Sequence, residues 1–401
     1  MDSSVRITDS VTWIGANDRE TDLFEGLWPL PRGVCYNAYL VRAGKTALID
    51  TVKRTAFDRY IDNIRGSVGP AGRVDYLVIN HMEPDHSGSV RMLLDIFPDV
   101  KIVGNQKTAL FLEKFYDIKN NVIVVSDGDE LDLGGRKLKF HMTPMVHWPE
   151  TMMTYDTADK ILFSGDAFGG FGALEGGIFD DEVDVDYFEN EILRYFSNIV
   201  GKYCVPVQNA IKKLAGVDVK IVASTHGPIW RKDPAWIIEK YDRWSRHEGE
   251  EGVVLIYGSM YGNTERMMEA VARGLAEEEV SRIRIFNVSR MHVSYLIRDA
   301  WRFRGLILGS PTYDTGLYPP MEHFIKLLER KKLMKRVLGL FGTFGWSGGG
   351  VSTLTEFAKG GAGAWDLVEP VVEANCAPTA EDLKKCEDLG RNVVRRLKAN
   401  W

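Results

Sequence analysis

Six residues constrain this chain more than any others: His81-Met82-Glu83-Pro84-Asp85-His86, at the end of the run Asp75-Tyr76-Leu77-Val78-Ile79-Asn80. Tyr76 to Ile79 are four apolar, β-favouring residues in a row and predict a buried strand. The strand delivers two imidazoles and two carboxylates, set two apart and then adjacent. That is too many ligands for one ion with an open position and suits half of a two-metal site. A lone His-x-Glu is most often a solvated strand end. Four metal-competent side chains directly behind a buried strand argue against that reading.

The other half of such a site lies further along the first 250 or so residues. Strands are predicted at Ala38–Val41 and Thr46–Asp50 around a Gly44 turn, with a helix near Phe57–Ile64. After His86, Ser87-Gly88-Ser89 opens a helix carrying Val90, Leu93, Leu94 and Phe97 at helical spacing. Lys137–His141 alternates like an edge strand and leads into Pro144-Met145-Val146-His147-Trp148-Pro149. Strands at Met152–Tyr155 and Lys160–Ser164 follow, the second ending in Gly165-Asp166. Residues 187–215 read as helical, with Phe188, Ile192, Tyr195, Phe196 and Ile199 on one face. The strand Lys220–Ser224 ends in Thr225-His226-Gly227. His147, Asp166 and His226 thus sit at strand ends or turns, where α/β folds gather their sites. His141, on the alternating strand itself, is predicted to be structural.

Ser245–Glu251 is polar and without apolar period, which places a domain boundary between residues 248 and 249, giving domains 1–248 and 249–401. The second half restarts with the buried strand Val253–Tyr257. It continues through Gly258-Ser259-Met260-Tyr261-Gly262-Asn263-Thr264 into a helix with Met267, Val271 and Leu275 on a four-residue step. A hydroxyl- and glycine-rich loop at a helix N-terminus offers backbone N–H groups to a phosphate. Neither Gly-x-Gly-x-x-Gly nor Gly-Lys-Ser/Thr occurs there, so neither a dinucleotide fingerprint nor an ATP loop is present. Strands at Ile283–Val288, Gly305–Gly309, Val337–Phe341 and near Leu367–Val372, and a last helix Glu381–Leu397, complete five βα units. They predict a doubly wound parallel sheet with its ligand outside the carboxyl ends of the strands. Loops at Ser310-Pro311-Thr312-Tyr313-Asp314 and Gly342-Thr343-Phe344-Gly345-Trp346-Ser347-Gly348 suit the edges and faces of a planar ring.

Composition removes other classes. The net charge is −6, no basic run interleaved with aromatics occurs, and a nucleic-acid surface is not expected. No apolar run approaches membrane-spanning length, and the start has no charged-then-apolar leader layout, so a cytoplasmic protein is expected. The four cysteines, Cys35, Cys204, Cys376 and Cys386, have no Cys-x-x-Cys spacing. That excludes a zinc ribbon or rubredoxin-type knuckle in this chain and predicts separate thiols.

A metallo-β-lactamase-type hydrolase uses His-x-His-x-Asp-His for zinc; here Glu83 replaces the second histidine. The added negative charge and hard oxygen donors favour redox-active iron. With the Val-His-Trp-Pro segment at His147, the Gly-Asp pair at Asp166 and Thr225-His226-Gly227, the chain resembles the two-domain flavodiiron proteins from about Ile7 to Arg396. The resemblance implies an N-terminal metallo-β-lactamase-like αββα sandwich followed by a flavodoxin-like domain. It implies one iron at His81, Glu83 and His147, another at Asp85, His86 and His226, and Asp166 bridging. Tyr195 resembles a tyrosine that lines the diiron pocket, and Glu25 stands where members often carry a histidine. Ser259, Met260, Tyr261, Gly262, Asn263 and Thr264 would cradle the FMN phosphate. Pro311, Thr312, Tyr313, Asp314, Thr343, Phe344, Gly345, Trp346, Ser347 and Gly348 would hold its ring, with Trp346 and Tyr313 stacking.

The implied activity is reduction of dioxygen to water, of nitric oxide to nitrous oxide, or both, in defence against oxidative or nitrosative stress. The implied assembly is a head-to-tail homodimer or a dimer of dimers, which sets one subunit's FMN against the other's diiron site. The electron donor is external: rubredoxin, a flavin reductase or a reduced deazaflavin coenzyme. Two rival readings are a zinc hydrolase fused to an electron-carrier module and a flavodoxin-like carrier with a vestigial metal domain. Glu83 and the complete ligand set speak against both.

Overall fold

A computed structural model describes residues 3–69, 72–360 and 365–399. By its internal contacts the chain forms two compact units, one of Met1–Phe196 with Tyr203–Asp242, the other of Ser197–Lys202 with Arg243–Trp401.

The first unit stacks two mixed sheets. One runs in the order Val5–Arg6, Val11–Trp13, Tyr39–Arg42, Thr46–Ile49, Tyr76–Val78, Lys101–Gly104, Val122–Val124, antiparallel as far as Thr46–Ile49 and parallel thereafter. The other runs Glu130–Asp132, Lys137–Met142, Met152–Asp156, Ile161–Gly165, Ile221–Ser224, with only the last pair parallel. Lys137–Met142 is therefore an interior strand and not an edge strand. Its neighbour Glu130–Asp132 is three residues long and largely acidic, so it carries almost no strand signal. The sheets meet through apolar inner faces, for example the Tyr39 and Phe163 rings at 5.1 Å, and through the Tyr39 hydroxyl donating to the Ser224 carbonyl at 2.5 Å.

The predicted helix over 187–215 is interrupted. Helices Val185–Tyr195 and Cys204–Leu214 are separated by a π turn at Phe196–Val200 and a tight turn at Gly201–Tyr203. Glu191 to Val200 are all buried, so no polar stripe marks the change of winding.

The second unit is a parallel sheet in the order Ile283–Asn287, Glu250–Tyr257, Phe303–Tyr313, Arg336–Phe344, Trp365–Leu367. This is the 2-1-3-4-5 order of flavodoxin-like folds. The single strand predicted near Leu367–Val372 is two short ones, Trp365–Leu367 and Val372–Asn375, on either side of Pro370. They pair with the two ends of Arg336–Phe344. The helix Asn263–Glu277 buries Met267, Val271 and Leu275 as their spacing requires. It packs closely on Ala380–Ala399: a side chain at Gly274 would meet the Glu387 carbonyl at 2.0 Å, and one at Gly390 the Val271 carbonyl at 2.3 Å. No helix among the described residues is long and apolar enough to cross a membrane.

Candidate metal centre and flavin loops

The chain is extended to Glu83, then turns into the one-turn helix Pro84–Ser87 with Pro84 at its first position. This change divides the motif between two places. The ligand atoms of His81, Glu83, His147 and Asp166 lie within 4.8 Å of one another, as do those of Asp85, His86 and His226. All seven predicted metal residues are thereby brought together at the ends of strands from both sheets. His141 lies outside both groups.

Asp166 joins the two clusters. Its Oδ2 lies 3.2 Å from His147 Nε2 and 3.5 Å from His81 Nε2, while Oδ1 lies 2.9 Å from His86 Nε2 and 3.8 Å from His226 Nε2. Glu83 Oε2 completes the first cluster at 3.1 Å from His147 Nε2, and Asp85 Oδ2 the second at 3.3 Å from both His86 and His226. Both Asp85 oxygens, both His86 ring nitrogens and His226 Nε2 are buried and, close as some of them come to an opposite charge, none makes an aligned hydrogen bond. Buried polar atoms without partners are rare in folded proteins, and here they converge.

The electrostatics agree. Burial alone would hold His86 and His147 below the ordinary imidazole range. The Asp85 and Asp166 carboxylates beside His86, and Asp166 and Glu83 beside His147, outweigh it and push each up to about 9. Burial works against ionised Asp166 and Glu83 as well, yet their imidazole neighbours hold both well below the carboxylate range. The constellation is a deep well for positive charge, and a metal ion displaces the protons that otherwise occupy it.

The strand end is held rigidly. Asn80 N–H donates to Asp50 Oδ1 at 2.7 Å, Asn80 Nδ2 to Asp50 Oδ2 at 3.0 Å, and Thr154 Oγ1 to Asn80 Oδ1 at 2.7 Å. His226 Nδ1 meets the Cys35 carbonyl at 2.7 Å, and His81 Nδ1 meets the buried Glu150 carboxylate at 2.7 Å, which leaves Nε2 of each for a ligand. Glu150 has no spacing that marks it in the sequence. Its one hint is an acid three residues past His147 in an otherwise apolar loop.

Tyr195 is fully buried, its ring 5.5 Å from that of His226, and its hydroxyl has no hydrogen-bond partner. Burial, then Asp166 and Glu83, hold the phenol protonated. Phe24 covers the same imidazole at 5.4 Å. Glu25 follows in a left-handed turn, with its carboxylate receiving Trp28 Nε1–H at 3.0 Å. The residue as a whole is exposed, but its carboxyl end faces the cluster. Burial of that end and repulsion from Glu83 push it up to about 7. A cavity of about 950 Å³, lined among others by Phe24, Glu25, Tyr36, Glu83 and Asp85, opens from here.

In the second unit, Tyr257 pairs with Gly309, and Gly309 with Phe341; the first strand ends there, while the other two run on to Tyr313 and Phe344, so the segments beyond this level gather at one end of the sheet. They enclose a cavity of about 360 Å³ lined by Ser259, Met260, Tyr261, Asn263, Thr264, Pro311, Thr312, Tyr313, Asp314, Thr343, Phe344, Gly345, Trp346 and Cys376. Gly262, Ser347 and Gly348 do not line it. Gly262 instead supplies the left-handed turn, φ +91°, that starts the helix Asn263–Glu277, and its N–H donates to Ser259 Oγ at 3.1 Å. Tyr261 and Trp346 are 92% and 88% exposed, which leaves their rings free to cover a ligand. Cys376 joins the lining because the strand Val372–Asn375 continues the sheet beside Phe344, a pairing that no local signal announces.

Residues 34–227 match the sequence family described as ODP family beta lactamase, and residues 255–390 match flavodoxin. The nitric oxide reductase of Moorella thermoacetica is 34% identical over 99% of this chain and 100% of its own length. The anaerobic nitric oxide reductase flavorubredoxin of Escherichia coli K12 is 33% identical over 98% of this chain and 82% of its own. Among solved structures, rubredoxin oxygen:oxidoreductase from Desulfovibrio gigas superposes with a TM-score of 0.93 at 30% identity, covering 99% of both chains. The flavodiiron protein from Giardia intestinalis gives 0.94 at 27% identity, covering 100% of this chain and 98% of that one. With the ligand constellation, the flavin loops and this likeness along nearly its full length, the chain belongs to the flavodiiron protein family.

Proposed function

We propose that the protein is an oxidoreductase that reduces dioxygen to water, nitric oxide to nitrous oxide, or both, at a pair of irons supplied with electrons through FMN. The observation that carries the reading is Asp166, a buried carboxylate with one oxygen turned to each of two complete donor clusters. The donor set fits iron: four imidazoles and three carboxylates, several with buried atoms that have no other partner. His81, Glu83 and His147 would hold one ion, Asp85, His86 and His226 the other, and Asp166 both. The hydroxyls and backbone N–H groups at Ser259–Thr264 would take the FMN phosphate, and Tyr313 and Trp346 would flank its ring.

Two ferrous ions and a reduced flavin supply the four electrons that dioxygen needs to reach water, while a pair of nitric oxide molecules needs two. The chain's own residues do the rest. Phe24, Phe171 and Tyr195 pack edge-on against one another, with Phe24 and Tyr195 against His226, and exclude water from one side of the centre. Tyr195, kept neutral, holds a proton on its hydroxyl beside the cluster. The wide cavity mouth admits a small gas.

A zinc hydrolase explains neither Glu83 nor the second cavity. The head-to-tail dimer and an external donor belong to the same proposal, since electrons must reach one centre from the other. Metal and flavin analysis, then anaerobic reduction and measured uptake of each gas, tests it. Two irons and one FMN per chain with gas consumption support it; two zincs and none refute it.

A further inference from the structure

The two donor clusters differ in what stands behind them. In the first, His81 Nδ1 meets Glu150 Oε1 at 2.7 Å, and the same oxygen accepts from the Met82 N–H at 2.9 Å. In the second, His226 Nδ1 meets a neutral acceptor, the Cys35 carbonyl, at 2.7 Å, and His86 Nδ1 has no hydrogen-bond partner. Glu150 is fully buried and its Oε2 is without a partner, so the hydrogen bonds of this carboxyl group run through Oε1, to His81 and the Met82 N–H. Asp166 is polarised in the same sense. Oδ1, facing the second cluster, accepts from Thr225 Oγ1 at 2.6 Å, whereas Oδ2 meets His81 and His147.

An imidazole whose far nitrogen donates to a carboxylate is a stronger metal donor than one that donates to a carbonyl. A hydroxyl that donates to a carboxylate oxygen withdraws charge from it. Both effects make the first position the more electron-rich. We propose that Glu150 is a positioning residue that renders the two metal positions unequal. The His81–Glu83–His147 position binds a divalent ion more tightly and favours the higher iron charge. The Asp85–His86–His226 position binds more weakly and favours the ferrous state. This rests on the two-metal reading above, but its test does not need turnover.

The full-length apoprotein is titrated with Co(II), whose absorption reports each site as it fills. Two steps are expected, the tighter abolished by His147→Ala and the weaker by His226→Ala. Glu150→Gln keeps the side chain's size and removes its charge, and is expected to weaken the tighter step tenfold to a hundredfold with the weaker one unmoved. In the iron-loaded protein it shortens the separation between the two one-electron midpoints, where each tenfold is 59 mV. Thr225→Val approaches from the other side: it frees Oδ1, tightens the weaker step and narrows the same gap, and it serves alone if Glu150→Gln does not fold. A tight step removed by His226→Ala, or a gap that Glu150→Gln and Thr225→Val leave unchanged or widen, overturns the proposal. Absence of gas reduction with this pattern intact would count against the functional reading alone.

Discussion

Arg336 anchors the flavodoxin-like unit, and its loss is expected to be felt there first. The side chain is 1% exposed and has five carbonyl partners. Nε donates to Ala300 at 3.0 Å and Nη2 to Trp301 at 2.6 Å; Nη1 donates to His247 at 2.7 Å, Met334 at 3.0 Å and Lys335 at 3.1 Å. It ties the end of the helix Val293–Arg302 and residue 247 to the start of the strand that ends at the flavin loop. Burial is costly enough to pull the guanidinium down to about 9. Arg336→Met removes that cost but leaves three buried carbonyls, those of His247, Ala300 and Trp301, without this donor, each worth about 1–3 kcal/mol if no water reaches it, while the part-buried carbonyls of Met334 and Lys335 can turn to solvent. Relief of the buried charge offsets part of this, so a net loss of about 3–5 kcal/mol is expected. A unit of this size loses about 2–4 °C per kcal/mol, which places the shift at about 6–20 °C. Arg336→Lys, with three donors instead of five, should fall between Met and wild type. Calorimetry of the full-length protein, with flavin fluorescence marking unfolding of this unit, gives the comparison. A methionine variant that melts within 2 °C of wild type would show that the carbonyls find other partners and that the reasoning is wrong.

Three further outcomes follow from particular residues. Tyr195→Phe deletes a buried hydroxyl that has no protein partner, so the melting temperature should hold or rise slightly while gas reduction falls about tenfold or more; equal activity would remove Tyr195 from the chemistry. His247 is drawn down to about 4 by burial and by the neighbouring Arg336 and Lys335, so below pH 6.5 the unfolded chain takes up a proton that the folded one refuses. Its contribution to stability is complete above pH 6.5 and fades as the pH falls toward 4, by at most about 1.4 kcal/mol per pH unit. Urea unfolding of wild type and His247→Gln at pH 7 and pH 5 should diverge in that direction. Gly262→Val has open space for the side chain but a left-handed backbone, so it should cost about 1–2 kcal/mol and weaken FMN retention, read as flavin lost on dialysis.

The candidate metal-binding residues are legible in the sequence because four of the chain's eight histidines stand with carboxylates just beyond apolar strands, and a strand end is a fixed address. Their division into two groups is less so. It depends on one proline-initiated turn between Glu83 and Asp85, and on Asp166 lying between two sheets that no local pattern pairs. The parallel sheet is likewise announced by its apolar runs, whereas Glu130–Asp132 and the split strand around Pro370 are set by their neighbours. The contacts of Glu150, Thr225 and Arg336 cannot be read beforehand for the same reason: each is defined by what surrounds it in three dimensions. Continuous burial from Glu191 to Val200 hides the π turn from any count of apolar spacing.

Because the donors come from both sheets and are spread from residue 81 to residue 226, no growing chain can hold both ions until its last histidine has been made and the sheets have closed on each other. Capture of both ions is therefore expected to come late in the protein's biogenesis. An ion that arrives early meets only Glu83, Asp85 and two loosely placed imidazoles, a partial set that gives little discrimination among divalent metals. The finished pocket selects; the nascent one does not. A cell that makes the protein faster than it folds would be expected to fill it with whatever ion is most abundant.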